Sequence, residues 1–217
     1  MRFWMGIMMG LLVGIPAMAE PYRLAVFGDS LSAGYQLPKE SAFYTQLNQA
    51  LTNKGYDVSV IHASRSGETT AGGIKRQKAL TDKNPDGVIL ELGINDAIRN
   101  MDLKTTEKNL KMLIENFQSQ NIPVLLVGMK SVPTRPLSYR EQFETMYHDL
   151  ADSYHLTFYP FFMEGVFNTS FAELNLTSDK LLSDHVHPNA QGVAIMVDHI
   201  LPTVEQFLRK QGIKPKK

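Results

Sequence analysis

The chain has 217 residues, 22 Lys and Arg balanced by 22 Asp and Glu, and no cysteine. Balanced charge gives no electrostatic reason for a nucleic-acid or membrane-surface partner, and the basic tail Lys214-Pro215-Lys216-Lys217 is too short to change that. The absence of cysteine excludes disulfides and a lipidated cysteine, so stability has to come from packing, in a chain long enough to bury a core.

The first stretch reads as a targeting segment. Arg2 is followed by an uncharged, mostly apolar run over residues 4–15, then Pro16 and the small-x-small pattern Ala17-Met18-Ala19. This predicts a signal peptide over residues 1–19, cleaved after Ala19, with a periplasmic or secreted product. The competing reading is a membrane anchor, but the apolar run is short for a span, which needs ~20 apolar residues. Residues 20–217 are expected to form one domain, without internal repeats or a low-complexity linker.

From Tyr22 onward, strand-like and helix-like segments alternate. Residues 22–27 read as a buried strand. Residues 41–54 read as a helix with Phe43, Leu47, Ala50 and Leu51 on one face and Gly55 as its stop. Residues 56–61 alternate as a strand. Residues 70–83 form a helix candidate weakened by Gly72-Gly73. Residues 86–92 hold the strand-like Val88-Ile89-Leu90. Residues 105–120 carry Leu110, Leu113, Ile114 and Phe117 at helical spacing, and the apolar run 123–127 suits a central parallel strand. A helix over 137–154, a short strand over 156–159 and a closing helix over 190–207 complete the series. Such alternation predicts a three-layer α/β/α sandwich around a five-stranded parallel sheet. The flavodoxin-like order 2-1-3-4-5 opens its crevice between the first and third strands.

That order brings three turns to one sheet edge. Ser30 follows the first strand, Ser66-Gly67 the second, and Gly93-Ile94-Asn95-Asp96 the third. A serine needs a base to become a nucleophile. Asp184-x-x-His187 supplies one, because three-residue spacing lets a carboxylate hold one imidazole nitrogen and leave the other free. His185 is the weaker candidate, since adjacent side chains do not face each other. The oxyanion of a tetrahedral intermediate needs donors already aimed at it. The Ser30 and Gly67 N–H groups and the Asn95 amide are candidates. Gly67 and Gly93 taken singly also read as turn glycines, and Asn95-Asp96 as a cap or Asx turn. A rival chemistry is a metal site of Asp184, His185 and His187 with Asp29 or Asp96, which leaves Ser30, Gly67 and Asn95 without a role. His62, His148, His155 and His199 read as ordinary packed or surface histidines.

Gly28-Asp29-Ser30-Leu31, Gly67, Gly93-x-Asn95-Asp96 and Asp184-x-x-His187 resemble, in order and spacing, the four blocks of the SGNH (GDSL) hydrolases. Within them, the stretches 28–35, 160–164 and 187–192 are similar to the bacterial thioesterase/protease/lysophospholipase and arylesterase group. The resemblance implies Ser30 as nucleophile, His187 as base, Asp184 as its orienter, and an oxyanion hole of Ser30, Gly67 and Asn95. It implies a hydrolase of acyl esters and thioesters, with medium or long acyl chains on thioesters, aryl esters or lysophospholipids as the expected small-molecule substrates, without cofactor or metal; the chain is expected to be a monomer. Alternatives are a carbohydrate-ester deacetylase or a non-catalytic binding module on the same fold. One departure stands out. The group usually has Gly-Gly-Asn-Asp, and here Ile94 takes the second place, where a β-branched residue resists positive φ. Ile94 is therefore read as an apolar wall for an acyl chain. The loop 131–137 is read as a mobile loop bordering the acyl site, with Leu137 as a second substrate contact.

Protein recovered from the exported fraction should have an intact mass that starts at Glu20. A mature chain that still begins at Met1 would overturn the signal reading.

Overall fold

The protein is described by a computed structural model covering residues 20–167 and 179–216. The predicted signal segment 1–19 lies outside the described residues. Five apolar stretches pair into one parallel sheet in the order β2-β1-β3-β4-β5. They are β1 (Tyr22–Gly28), β2 (Val58–His62), β3 (Gly87–Glu91), β4 (Val124–Val127) and β5 (Thr157–Tyr159). The register aligns Val26 with His62 on one side and Ile89 on the other, and Gly28 with Glu91. Every residue of β3 and β4 is buried. β4 is a continuous apolar run, and so is β3 up to Glu91, because helices cover the two faces of a parallel sheet. The edge strand β2 is instead only partly buried.

Helix α2 (Phe43–Asn53) packs with the closing helix α7 (Ala190–Lys210). On the other face, α5 (Leu103–Ser119) lies between α3 (Thr70–Thr81) and α6 (Leu137–Ser153). The apolar stripe Leu110, Leu113, Ile114 and Phe117 of α5 is wholly buried. The two glycines near its start do not break α3, because Thr69 caps it by accepting from the Gly72 N–H.

Two short helices depart from the sequence reading, and both sit at the crevice. The stretch after β1 is a single helical turn, α1 (Ser30–Ala33), rather than an open turn. The stretch after β3 is α4 (Ile94–Ile98). Neither is long enough to show a periodicity. Both form because a residue just ahead of them sets the chain's entry: Asp29 accepts from the Leu31 N–H, and Gly93 takes φ 129°. A Cβ at Gly93 would also lie 2.2 Å from the Tyr147 hydroxyl.

Tyr147 of α6 is fully buried and donates to the Leu92 carbonyl at 2.8 Å, bracing the β3–α4 turn from below. Tyr147→Phe keeps the ring but removes that donor. It should cost about 1–3 kcal/mol of unfolding free energy, the penalty for an orphaned buried acceptor, as read from urea denaturation. An unchanged midpoint would show that the bond contributes nothing.

Candidate active site

Ser30 opens α1 and is buried at the C-terminal edge of the sheet, where ligands bind in open α/β folds. Its Oγ lies 2.8 Å from His187 Nε2, and His187 Nδ1 lies 2.7 Å from Asp184 Oδ2. The loop carrying this pair is built by its own side chains. Asp184 Oδ1 accepts from the N–H groups of Val186 and His187, a tight Asx turn that places acid and base on one side. The bridge between Leu181 and Pro188 closes the loop. Asn189 then locks it to α7, donating to the Asp179 and Leu181 carbonyls and accepting from Gln191 and Gly192.

Burial disfavours the Asp184 carboxylate, but the His187 and Val186 N–H groups and the His187 ring outweigh it. Its pKa therefore moves below the ordinary carboxylate range, and it stays charged beside the imidazole. Both nitrogens of His187 are engaged in this chain, so neither is left for a metal ion. Among the described residues, no three His, Asp or Glu side chains converge as a metal site would need.

The donor side of the site forms around the same serine. Gly67, with φ 75°, and Asn95 of α4 line one cavity with Ser30 and His187. Among the described residues, neither the Ser30 nor the Gly67 N–H donates to a protein acceptor. The Asn95 amide donates one N–H to Asp29 Oδ2 at 3.0 Å, which fixes its plane and leaves the second N–H over. Asp96 ties this helix to the Gly67 side, accepting from the Thr70 N–H at 2.9 Å and the Thr70 hydroxyl at 2.5 Å. Arg99 makes a second tie, donating to the Gly67 carbonyl at 2.7 Å.

The cavity has a volume of about 560 Å³ and a mainly apolar wall. Ile94 is part of that wall; as the first residue of α4 it never needs positive φ, which Gly93 alone supplies. Leu137 is not part of it. Val132, Pro133 and Thr134 line the cavity, but Arg135 turns away onto Asn100 and the Tyr139 ring. The chain beyond Arg135 faces elsewhere, and Leu137 is 63% exposed. His185 lines the cavity, and among the described residues its ring bonds neither Ser30 nor Asp184.

Residues 26–195 match the GDSL-like lipase/acylhydrolase family. The chain belongs to this family. An arylesterase of Vibrio mimicus is 32% identical over 193 residues, 88% of this chain and 88% of the relative. The thioesterase 1/protease 1/lysophospholipase L1 of Escherichia coli K12 is 32% identical over 176 residues, 81% of this chain and 79% of the relative. The crystal structure of TesA superposes with a TM-score of 0.78 at 31% identity, covering 86% of this chain and 99% of that one. Like these relatives, this member of the GDSL-like family is an ester hydrolase.

Beneath the site of this GDSL-like hydrolase lies a buried pair of acids that sequence reasoning missed. Glu91, the last residue of β3, accepts from the Asp29 N–H at 3.2 Å and the Ser32 hydroxyl at 2.8 Å. Gly28 makes room for it, since a Cβ there would lie 2.3 Å from Glu91 Oε2. Burial, then the nearby Asp29 charge, pushes the Glu91 carboxyl well up. Burial likewise pushes Asp29 up to about 7, against the bonds from Leu31 and Asn95. The signal available was the Glu91 carboxylate itself, a charge ending an otherwise apolar strand.

The folded protein thus keeps protons that the unfolded chain releases. These acids lower stability as pH rises from the ordinary carboxylate range through about 7. Glu91→Gln retains an acceptor and removes one buried charge. It should raise Tm by about 2–4 °C at about pH 8, and the gain should vanish near about pH 4. A Tm difference that is flat with pH would refute this account.

Proposed function

We propose that the protein hydrolyses carboxylic esters and thioesters of apolar acyl groups through an acyl-Ser30 intermediate. The observation that carries the reading is the Ser30–His187–Asp184 chain of bonds opening into an apolar cavity that Gly67 and Asn95 also line. His187 Nε2 takes the Ser30 proton as Oγ attacks the carbonyl carbon, and Asp184 holds the imidazole in the right tautomer. The Ser30 and Gly67 N–H groups and the free Asn95 N–H face the developing oxyanion. His187 returns its proton to the leaving oxygen or sulfur. A water, deprotonated by the same nitrogen, then releases the acid.

An apolar wall that includes Ile94 and Val132 favours an aliphatic or aryl acyl group over an acetyl on a carbohydrate. The arylesterase and thioesterase/lysophospholipase relatives point the same way. The Ala17-Met18-Ala19 site supports action outside the cytoplasm. Among the described residues, no helix is long and apolar enough to cross a membrane.

The roles separate by mutation. His187→Ala should lose nearly all turnover and His185→Ala should keep most of it. Asn95→Ala should lower kcat by ~10²–10³ with KM nearly unchanged, as for one lost oxyanion donor. It should also lower Tm, because the Asp29 carboxyl loses one of its two donors. Fluorophosphonate labelling of Ser30 should slow in Asn95→Ala and vanish in Ser30→Ala. An Asn95→Ala protein that is destabilised yet keeps near-full kcat would remove Asn95 from the oxyanion hole. A rate that peaks on acetyl esters and falls with chain length would favour the deacetylase reading.

A further inference from the structure

The resting His187 imidazole has three restraints. Two act on its edge, through Asp184 and Ser30. The third acts on its face: the Tyr35 ring lies with its centroid 4.4 Å away, inclined by 38°. Tyr35 is placed there by the nucleophile's own segment. The Gly34 N–H and the Tyr35 N–H both donate to the Ser30 carbonyl, the latter at 3.2 Å, so the end of α1 folds back toward the histidine.

Acylation removes one restraint. Once Ser30 Oγ carries an acyl group it has no hydrogen to donate, and the 2.8 Å bond to Nε2 is gone. The second half of the reaction still needs Nε2 in place. It takes a proton from water as the water oxygen attacks the acyl carbon, and the proton then passes to Oγ as the Oγ–acyl bond breaks. Asp184 alone would have to hold the ring, from a loop in which residues 183–186 are all exposed.

We propose that Tyr35 is a positioning residue that holds His187 over the acyl-enzyme for deacylation. The inference rests on the acyl-Ser30 reading above. The contact is between rings, and the phenol oxygen plays no part in it. An aromatic pair of this kind biases a side-chain equilibrium by up to about tenfold. Its effect is concentrated in the half-reaction in which the serine bond is missing.

The test is rapid mixing of the purified enzyme with p-nitrophenyl acetate and p-nitrophenyl butyrate, with intact mass after acid quench. Tyr35 is 38% exposed, so Tyr35→Ala should fold with an unchanged Tm. Its deacylation rate should fall up to about tenfold on both esters. The nitrophenol burst rate should change far less, and the acyl-enzyme mass should accumulate. Tyr35→Phe should behave as wild type. A role for Tyr35 in binding the leaving group would slow the burst instead, because that group has departed before deacylation. A role in binding the acyl chain would spare the acetate. Either result, a parallel loss of both rates, or a Phe variant as impaired as Ala would overturn the proposal. Ser30→Ala is the independent control: an acyl adduct or burst that survives there would sink the acyl-Ser30 reading itself, whatever Tyr35 does.

Discussion

The buried carboxyl of Glu91 is the constraint on which the catalytic edge rests. It ends β3 and holds the residue before Ser30 through a backbone N–H and the residue two after it through a hydroxyl. The serine is thereby fixed from both sides by one group in the neighbouring strand. The constraint then spreads outward. Asp29, held by Glu91, holds the Asn95 amide; Asp96, next in α4, holds Thr70 at the start of α3. Three turns that come from three different strands are tied in series by carboxylates. Each carboxyl accepts from two donors at once: Glu91 from Asp29 and Ser32, Asp29 from Leu31 and Asn95, Asp96 from the Thr70 N–H and hydroxyl. The cost is the crowding of acids in a dry environment, which lifts the proton affinity of Asp29 and Glu91.

Much of this architecture was legible in the sequence, because parallel sheets write themselves as alternation. Val124 to Val127 and Val88 to Leu90 are apolar throughout, and the helix over Leu103–Ser119 has a clear stripe. Strand order followed from the connection rules for doubly wound sheets, and with it came the convergence of Ser30, Gly67 and Asn95. What was not legible is shorter than a period. One turn of helix at Ser30 and five residues at Ile94 leave no stripe to read, and their capping residues also have ordinary loop uses. Leu137 was misplaced because adjacency along the chain was taken for adjacency in space. A cation stacked on Tyr139 turns the loop at Arg135, and no local pattern announces that contact.

The loop of Asp184 and His187 is made differently from the serine side. Ser30 is clamped in the interior, whereas Asp184 and His187 stand on a surface loop that organises itself through an Asx turn and an Asn189 lock. The loop's rigidity is thus mostly its own, and its position comes from α7. Gly192 lets the start of that helix press against the loop, since a Cβ there would lie 2.3 Å from the Lys180 carbonyl. Ser30 and His187 therefore belong to two separately braced pieces that meet through a 2.8 Å bond and the Tyr35–His187 ring contact.

That bond joins residues 157 positions apart. During synthesis the serine, its donors and nearly the whole sheet emerge well before the histidine, and the histidine loop gains its lock only when α7 docks against α2. A contact of such long separation forms late, after the chain-closure cost has been met. The molecule consequently carries its own timer. A chain that has not yet reached His187 holds Ser30 without the imidazole proposed as its base, and the Asn189 lock on that imidazole's loop forms with the first turn of the last helix.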